Sequence, residues 1–166
     1  PSYNSKKIIL DTIQSVLSQS YKNFEMLIVD DCSPDSSSNY IESILPDERF
    51  KLISLTKNVG AAEARNIAIK KAKGRYIAFL DSDDIWYSEK LEKQLNFMKD
   101  KNVAFCFSSY ELMNEEGRKT GKQFKAPNEI TKEQYLKNTI IGCLTVIIDK
   151  SKVKPFEMPN LRSSHD

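Results

Sequence analysis

Short apolar runs alternate with amphipathic helical patterns along residues 1–112 of this 166-residue chain. The predicted strands are residues 24–29, 50–55, 76–80 and 103–110. The predicted helices are residues 5–20, 35–45 and 60–73, and one that begins near residue 88. The first strand is almost continuously apolar, as expected of a strand that is buried on both faces. Strands that alternate with helices of this length predict an α/β fold, with a Rossmann-like, doubly wound, mostly parallel sheet and helices on both faces.

The pattern changes after residue 112. Residues 115–125 are polar and contain Gly117 and Gly121, which predicts a hairpin or a mobile loop. Thr131 and Gln134 form a capping-box pair for a short helix that ends near Asn138. Residues 143–148 are predicted to form a late strand.

Composition excludes several classes of protein. The chain is 40% hydrophobic and 29% charged, which is typical of one globular domain of about 150 residues. A formal net charge of +2 is too small to attract nucleic acid, so no nucleic-acid partner is predicted. Three widely spaced cysteines predict reduced thiols in the cytoplasm. No apolar run is long enough to span a membrane.

Acidic side chains follow two of the predicted strands. Asp30 and Asp31 follow the first strand, and Asp81, Asp83 and Asp84 follow the third. Ligands in open parallel sheets bind beyond the carboxyl ends of the strands, so these acids are predicted to lie on one rim. Their mutual repulsion requires compensation, and oxygen ligands favour a hard divalent cation such as Mg²⁺ or Mn²⁺.

The alternative for these acids is structural, because Asp and Ser also cap helices and form turns. For Asp35 capping is the favoured interpretation. For residues 81–84 the metal site is favoured, because a helix cap would use only one of the three acids and would leave the other two unexplained.

Five short motifs occur in an order that resembles a known family. They are Pro1-Ser2-Tyr3-Asn4, Gln19-Ser20-Tyr21 with Phe24-Glu25, Val29-Asp30-Asp31-Cys32-Ser33, Asn58-Val59-Gly60 with Ala64-Arg65-Asn66, and Asp81-Ser82-Asp83-Asp84. Together they resemble family 2 glycosyltransferases over nearly the whole chain. The resemblance implies a single GT-A domain, with residues 1–112 as the donor-binding half and residues 113–166 as the start of the acceptor-side half. Pro1 stands where the family's first strand has ended and Asp166 where a helix would begin, so we expect a domain clipped at both ends.

The resemblance also implies an activity. A family member moves a sugar from a nucleotide-diphospho-sugar, usually a UDP-sugar, to an acceptor hydroxyl with inversion and with the help of Mn²⁺ or Mg²⁺. We expect a saccharide or lipid-linked saccharide acceptor, a role in bacterial surface polysaccharide synthesis, and a cytoplasmic location at the inner face of the plasma membrane with peripheral association.

Individual residues take roles from the matching motifs. The implied donor-binding residues are Pro1, Tyr3, Asp31, Arg65, Asp81 and Ser82. Tyr3 would flank the uracil and Asp31 would accept from its imide N–H. Arg65 would lie near the pyrophosphate and Asp81 near the ribose or its water shell. Asp83 would be the direct metal ligand, since a cation neutralises the diphosphate leaving group.

Inversion by direct displacement needs one general base. The resemblance points to Asp166, in Ser164-His165-Asp166, and the alternative is a frayed terminus. His165 is the only histidine, and we interpret it as structural or solvated.

Two further features have competing interpretations. Packing is favoured for Trp86 and Tyr87, and a platform near the donor sugar is the alternative. Arg118, Lys119, Lys122 and Lys125 form a basic stretch without an acid, which we interpret as a solvated loop. Contact of this stretch with an anionic acceptor or a membrane surface is the alternative.

Two other functions fit parts of the pattern. A phosphoacceptor receiver domain also places acids after parallel strands. Such a domain needs a single acceptor Asp and a Lys after a late strand, whereas the loop at residues 81–84 of this chain carries three acids. A catalytically silent nucleotide-sugar binder is the second alternative. A dinucleotide-binding fold is disfavoured, because the sequence contains no Gly-x-Gly-x-x-Gly motif and Gly60 is the only glycine in the loop that opens its helix.

Overall fold

A computed structural model describes residues 1–114, 116–131, 133–134 and 141–159 of the chain. The helices are α1 (Ile9–Leu17), α2 (Ser37–Ile44), α3 (Ala61–Lys71) and α4 (Lys90–Asp100). The strands are β1 (Met26–Asp30), β2 (Phe50–Ser54), β3 (Tyr76–Ala78), β4 (Phe105–Cys106), β5 (Tyr110–Met113), β6 (Lys119–Phe124) and β7 (Ile147–Asp149). Two 3₁₀ turns, Cys143–Thr145 and Lys150–Lys152, flank β7.

The strands form an α/β arrangement with parallel and antiparallel pairs. β1 and β2 pair in parallel, as expected of strands joined by a helix. β7 lies between β3 and β4 and is antiparallel to both. β5 and β6 form an antiparallel hairpin. The α/β class is confirmed, whereas the insertion of β7 between β3 and β4 had no signal in the sequence.

Several element boundaries differ from the predicted ones. The predicted strand 103–110 is wrong as a single strand, because β4 ends at Cys106 and β5 begins at Tyr110 to pair with β6. The predicted late strand begins only at Ile147, because Cys143–Thr145 forms a 3₁₀ turn. The predicted hairpin is confirmed.

The capping box is confirmed by reciprocal hydrogen bonds. The Thr131 N–H donates to Gln134 Oε1 at 2.8 Å, and the Gln134 N–H donates to Thr131 Oγ1 at 3.2 Å. Residue 132 and residues 135–138 of that predicted helix lie outside the described residues.

The apolar stripe of α1 anchors the main core. Ile9, Ile13 and Val16 are buried in one cluster with Met98 of α4 and Ile147 of β7. Burial of a side chain of this size contributes about 1.5–3 kcal/mol. A second cluster around Ile77, Phe79 and Val146 lies at the end of β3. The two clusters fix the loops that follow β1 and β3.

An apolar groove separates the two main groups of strands. Within the described residues, β1 pairs with β2 and β3 pairs with β7, but β1 and β3 are not paired with each other. A cavity of about 580 Å³ lies between them, with Met26 and Leu27 on one side and Tyr76 and Ala78 on the other. We call this cavity the β1–β3 groove.

None of the helices in the described ranges is long and apolar enough to cross a membrane.

Candidate functional site

Asp31 links the end of β1 to the beginning of α3. Its side chain is only 3% exposed. Its two carboxylate oxygens accept hydrogen bonds from the N–H groups of Val59 at 2.7 Å and Gly60 at 2.8 Å. Gly60 has φ +87° and ψ 157°, a conformation that is essentially restricted to glycine. In this structure Asp31 therefore holds the loop before α3, and any contact with a base would use its remaining lone pairs.

Residues 1–3 run beside the end of β1. Ser2 forms a parallel bridge with Asp30, since the Ser2 N–H donates to Val29 O at 2.8 Å and the Asp31 N–H donates to Ser2 O at 2.9 Å. Pro1 is half-buried. Its amino group lies close enough to Asp31, Arg65 and Asp81 for their charges to act on it. The Tyr3 side chain is 51% exposed, so its ring is accessible to a flat ligand.

The acid loop, residues 81–84, follows β3 and is fastened by α1. The Thr12 hydroxyl lies 2.9 Å from both Ser82 O and Asp84 O. The Asp84 N–H donates to Asp81 O at 3.2 Å within the loop. A buried threonine therefore fixes the backbone that presents these carboxylates.

Arg65 and Asp81, both predicted to bind donor, form an ion pair. The Arg65 side chain is 16% exposed. Its Nε is buried and has no hydrogen-bond partner among the described residues. Buried donors are nearly always satisfied in folded proteins, so this N–H is suited to an anionic oxygen that is absent from the protein itself.

Asp83 and Asp84 differ in environment. Asp83 is exposed, whereas Asp84 is half-buried. Burial, and then the charges of Asp83 and Asp81, raise the pKa of Asp84 to about 6. A cation at this loop would relieve the repulsion among the three carboxylates.

The carboxylates do not form a complete metal cage. In residues 1–114, 116–131, 133–134 and 141–159, no three His, Cys, Asp or Glu side chains are grouped so that they could share one ion. Mg²⁺ bound to a nucleotide typically takes only one or two protein carboxylates and completes its shell with phosphate oxygens and water. The exposed Asp83 fits that arrangement, because it lies in the same loop as Asp81, the partner of Arg65.

Buried polar side chains in α1, and Gln19 just after it, bind the backbone after the acid loop, which sequence patterns do not predict. Ser15 Oγ accepts from the Trp86 N–H at 3.2 Å. Gln19 donates to Tyr87 O at 2.8 Å and accepts from the Leu91 N–H at 3.1 Å. The available signal was a set of polar residues at positions 12, 15 and 19, next to the apolar stripe of the helix.

Trp86 and Tyr87, the two aromatic residues after the acid loop, have different environments. Trp86 is buried and its Nε1 donates to Leu144 O at 3.1 Å, which confirms the packing interpretation. Tyr87 is exposed and contacts the β5–β6 hairpin, where its hydroxyl bonds to Glu111 and accepts from Lys119 Nζ at 2.9 Å.

Two of the four basic residues of the 118–125 segment have acidic partners, which corrects the expectation of a stretch without an acid. Lys119 Nζ lies 2.7 Å from Glu111 Oε1, and Arg118 pairs with Glu116. The acidic partners come from the facing strand β5 and from the turn, so the sequence run alone did not show them.

The remaining acids have the following places. Asp35 accepts from the Ser37 N–H at 3.0 Å, so its role is structural as expected, although the N-cap residue of α2 is Ser36. Asp30 is buried and accepts from the Ser33 N–H at 3.2 Å. Asp166 and His165 lie outside the described residues.

Comparison with known protein families decides the assignment. The model for Glycosyl transferase family 2 matches residues 1–151. The chain belongs to this family. The phosphoacceptor receiver alternative is therefore wrong.

Curated relatives in this family come from bacteria. The chain is 49% identical, over its whole length, to the putative teichuronic acid biosynthesis glycosyltransferase TuaG of Bacillus subtilis. It is 47% identical, over 96% of its length, to the UDP-Glc:alpha-D-GlcNAc-diphosphoundecaprenol beta-1,3-glucosyltransferase WfgD of Escherichia coli. The chain spans 66% and 62% of the lengths of these two relatives.

Solved structures confirm the GT-A fold. Residues 1–349 of S. aureus TarS match with a TM-score of 0.71 and 26% identity, over 90% of this chain and 45% of that one. TarS is also known in complex with UDP-GlcNAc, and that structure matches with a TM-score of 0.69. The mannosyltransferase PcManGT of Pyrobaculum calidifontis shares the fold with a TM-score of 0.66 at 17% identity, over 91% of this chain and 43% of that one.

Proposed function

We propose that this chain carries the donor site of an inverting glycosyltransferase that uses a UDP-sugar. The observation that carries the proposal is the buried Nε of Arg65, which has no partner among the described residues; Arg65 pairs with Asp81, in the same acid loop as the exposed Asp83. A diphosphate supplies the anionic oxygens that this donor lacks and oxygen ligands for a cation at Asp83. The UDP-GlcNAc complex of the similar TarS supports the donor class.

Each donor-site residue takes a role that suits its environment. Arg65 stabilises the negative charge that develops on the departing diphosphate. Tyr3 and Pro1 flank the base, with Asp31 as acceptor for its N–H. Ser82 and Asp81 face the ribose.

Asp83 would hold the divalent cation, Mn²⁺ or Mg²⁺. When bound, that ion would supply Lewis-acid neutralisation of the diphosphate.

Transfer needs one proton acceptor, for which we propose Asp166. The acceptor hydroxyl gives its proton to the Asp166 carboxylate as its oxygen bonds to the anomeric carbon. The bond from that carbon to the diphosphate oxygen breaks with inversion. No covalent nucleophile is required.

The printed names of two relatives support a proposal for the acceptor class. WfgD is named for transfer to a diphosphoundecaprenol-linked sugar and TuaG for teichuronic acid biosynthesis. We therefore propose a lipid-linked saccharide acceptor and a role in bacterial surface polysaccharide synthesis. We also propose a cytoplasmic location, peripheral to the inner face of the plasma membrane, where a lipid-linked acceptor would be accessible.

Thermal-shift measurements with a panel of sugar nucleotides, with and without Mn²⁺, test the donor site. We expect a UDP-sugar to raise the melting temperature only when metal is present, because diphosphate and ion complete each other's coordination. Asp83→Ala should abolish this shift, whereas Glu89→Gln, at an exposed surface pair, should retain it. Equal stabilisation without metal, or none with any sugar nucleotide, would contradict the donor site.

The rate of sugar transfer tests whether Asp166 is the general base. Asp166→Asn in the protein at its natural length should remove sugar transfer while the metal-dependent thermal shift remains. Retained transfer would place the base elsewhere. Donor binding without transfer by the unmodified protein would favour the silent-binder alternative.

A further inference from the structure

The turn that precedes β7 lies beside the acid loop. β3 and β7 are antiparallel neighbours, so the residues just before β7 flank the residues just after β3. Phe79, which follows β3, and Val146, which precedes β7, are accordingly buried in one cluster, and Cys143 packs against that cluster. We call residues 142–145 the β7 turn.

The β7 turn also lies close to the ion pair of the proposed donor site. Burial raises the pKa of the Cys143 thiol, and the charges of Arg65 and Asp81 act on that pKa as well. Coulombic interactions weaken with distance, so the thiol is near both charged groups. Strand pairing and electrostatics therefore agree that the turn forms a wall beside the Arg65–Asp81 ion pair.

Two buried side chains hold the β7 turn through its carbonyl groups. Trp86 Nε1 donates to Leu144 O at 3.1 Å, and Gln94 Nε2 donates to Thr145 O at 2.8 Å. Both of these residues are 8% exposed. Trp86 follows the acid loop directly and Gln94 lies in α4, so the segment after the acid loop fastens the turn beside it.

We propose that Gln94 is a positioning residue for the sugar donor: through the Thr145 carbonyl it holds the β7 turn against the acid loop and so sets the width of the donor site beside Arg65. The proposal rests on the proposed function. A buried carbonyl that loses its donor is destabilised, so without Gln94 the turn would move to reach water or another donor. Small displacements of groups around a bound substrate have large effects on its binding and reaction.

Gln94 acts on the donor through the turn. Its Oε1 accepts from Lys90 Nζ at 2.6 Å, and its Nε2 lies 3.3 Å from Cys106 Sγ in addition to its bond with Thr145 O. The side-chain amide is therefore engaged inside the protein. The effect of its loss should be confined to the part of the donor that lies beside the β7 turn.

The main test is Gln94→Met in the protein at its natural length. Methionine keeps an unbranched side chain of similar length but donates no hydrogen bond. We expect faster hydrogen exchange at the Thr145 and Val146 amides, because both N–H groups donate to carbonyls of the turn. With Mn²⁺ present, the dissociation constant of a UDP-sugar should rise by about fivefold or more. That of UMP, which lacks the second phosphate and the sugar, should change by less than about twofold.

Two control variants separate this effect from a general loss of stability. Ile41→Val trims a fully buried side chain of α2, which packs against β2, and so weakens the core at another place. Lys93→Ala removes an exposed pair with Glu89 from the same helix as Gln94. Well below the melting temperature, both variants should keep the UDP-sugar and UMP dissociation constants of the unmodified protein.

The outcomes separate the two proposals. An unchanged UDP-sugar dissociation constant in Gln94→Met would overturn the positioning role. Equal losses of UDP-sugar and UMP affinity would also overturn it, because the residue would then support the site as a whole. If Gln94→Met does not fold, Trp86→Phe keeps an aromatic ring, removes the bond to Leu144 O, and is read in the same way. Failure of the unmodified protein to bind any UDP-sugar would instead refute the proposed function.

Discussion

The Asp149 carboxylate, at the end of β7, binds Arg75, which directly precedes β3. Asp149 is 1% exposed and accepts hydrogen bonds from Arg75 Nε at 3.0 Å and Nη2 at 2.6 Å. Ser151 adds its backbone N–H at 3.0 Å and its hydroxyl at 2.7 Å. The Arg75 guanidinium, and then the Ser151 donors, hold the pKa of Asp149 well below its ordinary value.

This environment predicts acid sensitivity. The unfolded chain binds a proton at Asp149 near the ordinary Asp pKa of about 4, whereas the folded chain does so only at lower pH. The stabilising contribution is therefore present above about pH 4 and is lost as the pH falls towards the folded pKa.

Asp149→Asn should lower the free energy of unfolding at pH 7 by about 1–3 kcal/mol, because it weakens charge-assisted hydrogen bonds. It should also reduce the loss of stability between pH 5 and pH 2, relative to the unmodified chain. Urea unfolding at several pH values measures both effects. Glu89→Gln, which removes an exposed pair, is the control, and identical pH profiles for the unmodified chain and the Asp149→Asn variant would contradict the assignment.

At the scale of secondary-structure elements, α1 has two faces with different partners. Its apolar stripe enters the core, whereas its buried polar side chains, together with Gln19 just after the helix, hold the backbone of residues 82–91. The acid loop therefore depends on a helix that is about 70 residues away in the sequence.

Thr12→Val tests this dependence, because it preserves shape and removes the hydroxyl shared by Ser82 O and Asp84 O. We expect a free energy of unfolding lower by about 1–3 kcal/mol and a smaller metal-dependent thermal shift with UDP-sugar. Ser18→Ala, on the exposed side of the same helix, should change neither quantity. An unchanged donor response in Thr12→Val would show that the loop keeps its conformation without α1.

Local patterns account for what could be predicted from the sequence. The acid loop, the Thr131–Gln134 cap and the 115–125 hairpin each depend on neighbouring residues, and each was found. The partners of Thr12 and Gln94 lie about 70 and 50 residues away, and hydrophobic periodicity carries no information on such pairs. The same limit applies to β7, whose three residues carry no signal for antiparallel pairing.

At the scale of the whole molecule, the β1–β3 groove exposes strand edges. Unpaired backbone groups on an apolar edge recruit other strands. We therefore expect residues 1–166, expressed alone with no residues ahead of Pro1, to associate with themselves in a concentration-dependent way, which light scattering coupled to size-exclusion chromatography would measure. Leu27→Lys, which places a charge in the groove, should reduce this association. A monomer at every concentration would contradict the prediction.

The position of β7 also has a consequence for synthesis on the ribosome. β3 pairs only with β7 in the described part of the chain, and β7 follows it by about 70 residues. Translation proceeds at about 5–20 residues per second, so β7 is synthesised several seconds after β3. Residues 81–84 are translated within that interval and Arg75 just before it, so the nascent chain carries the acid loop for several seconds before β7 can pair with β3.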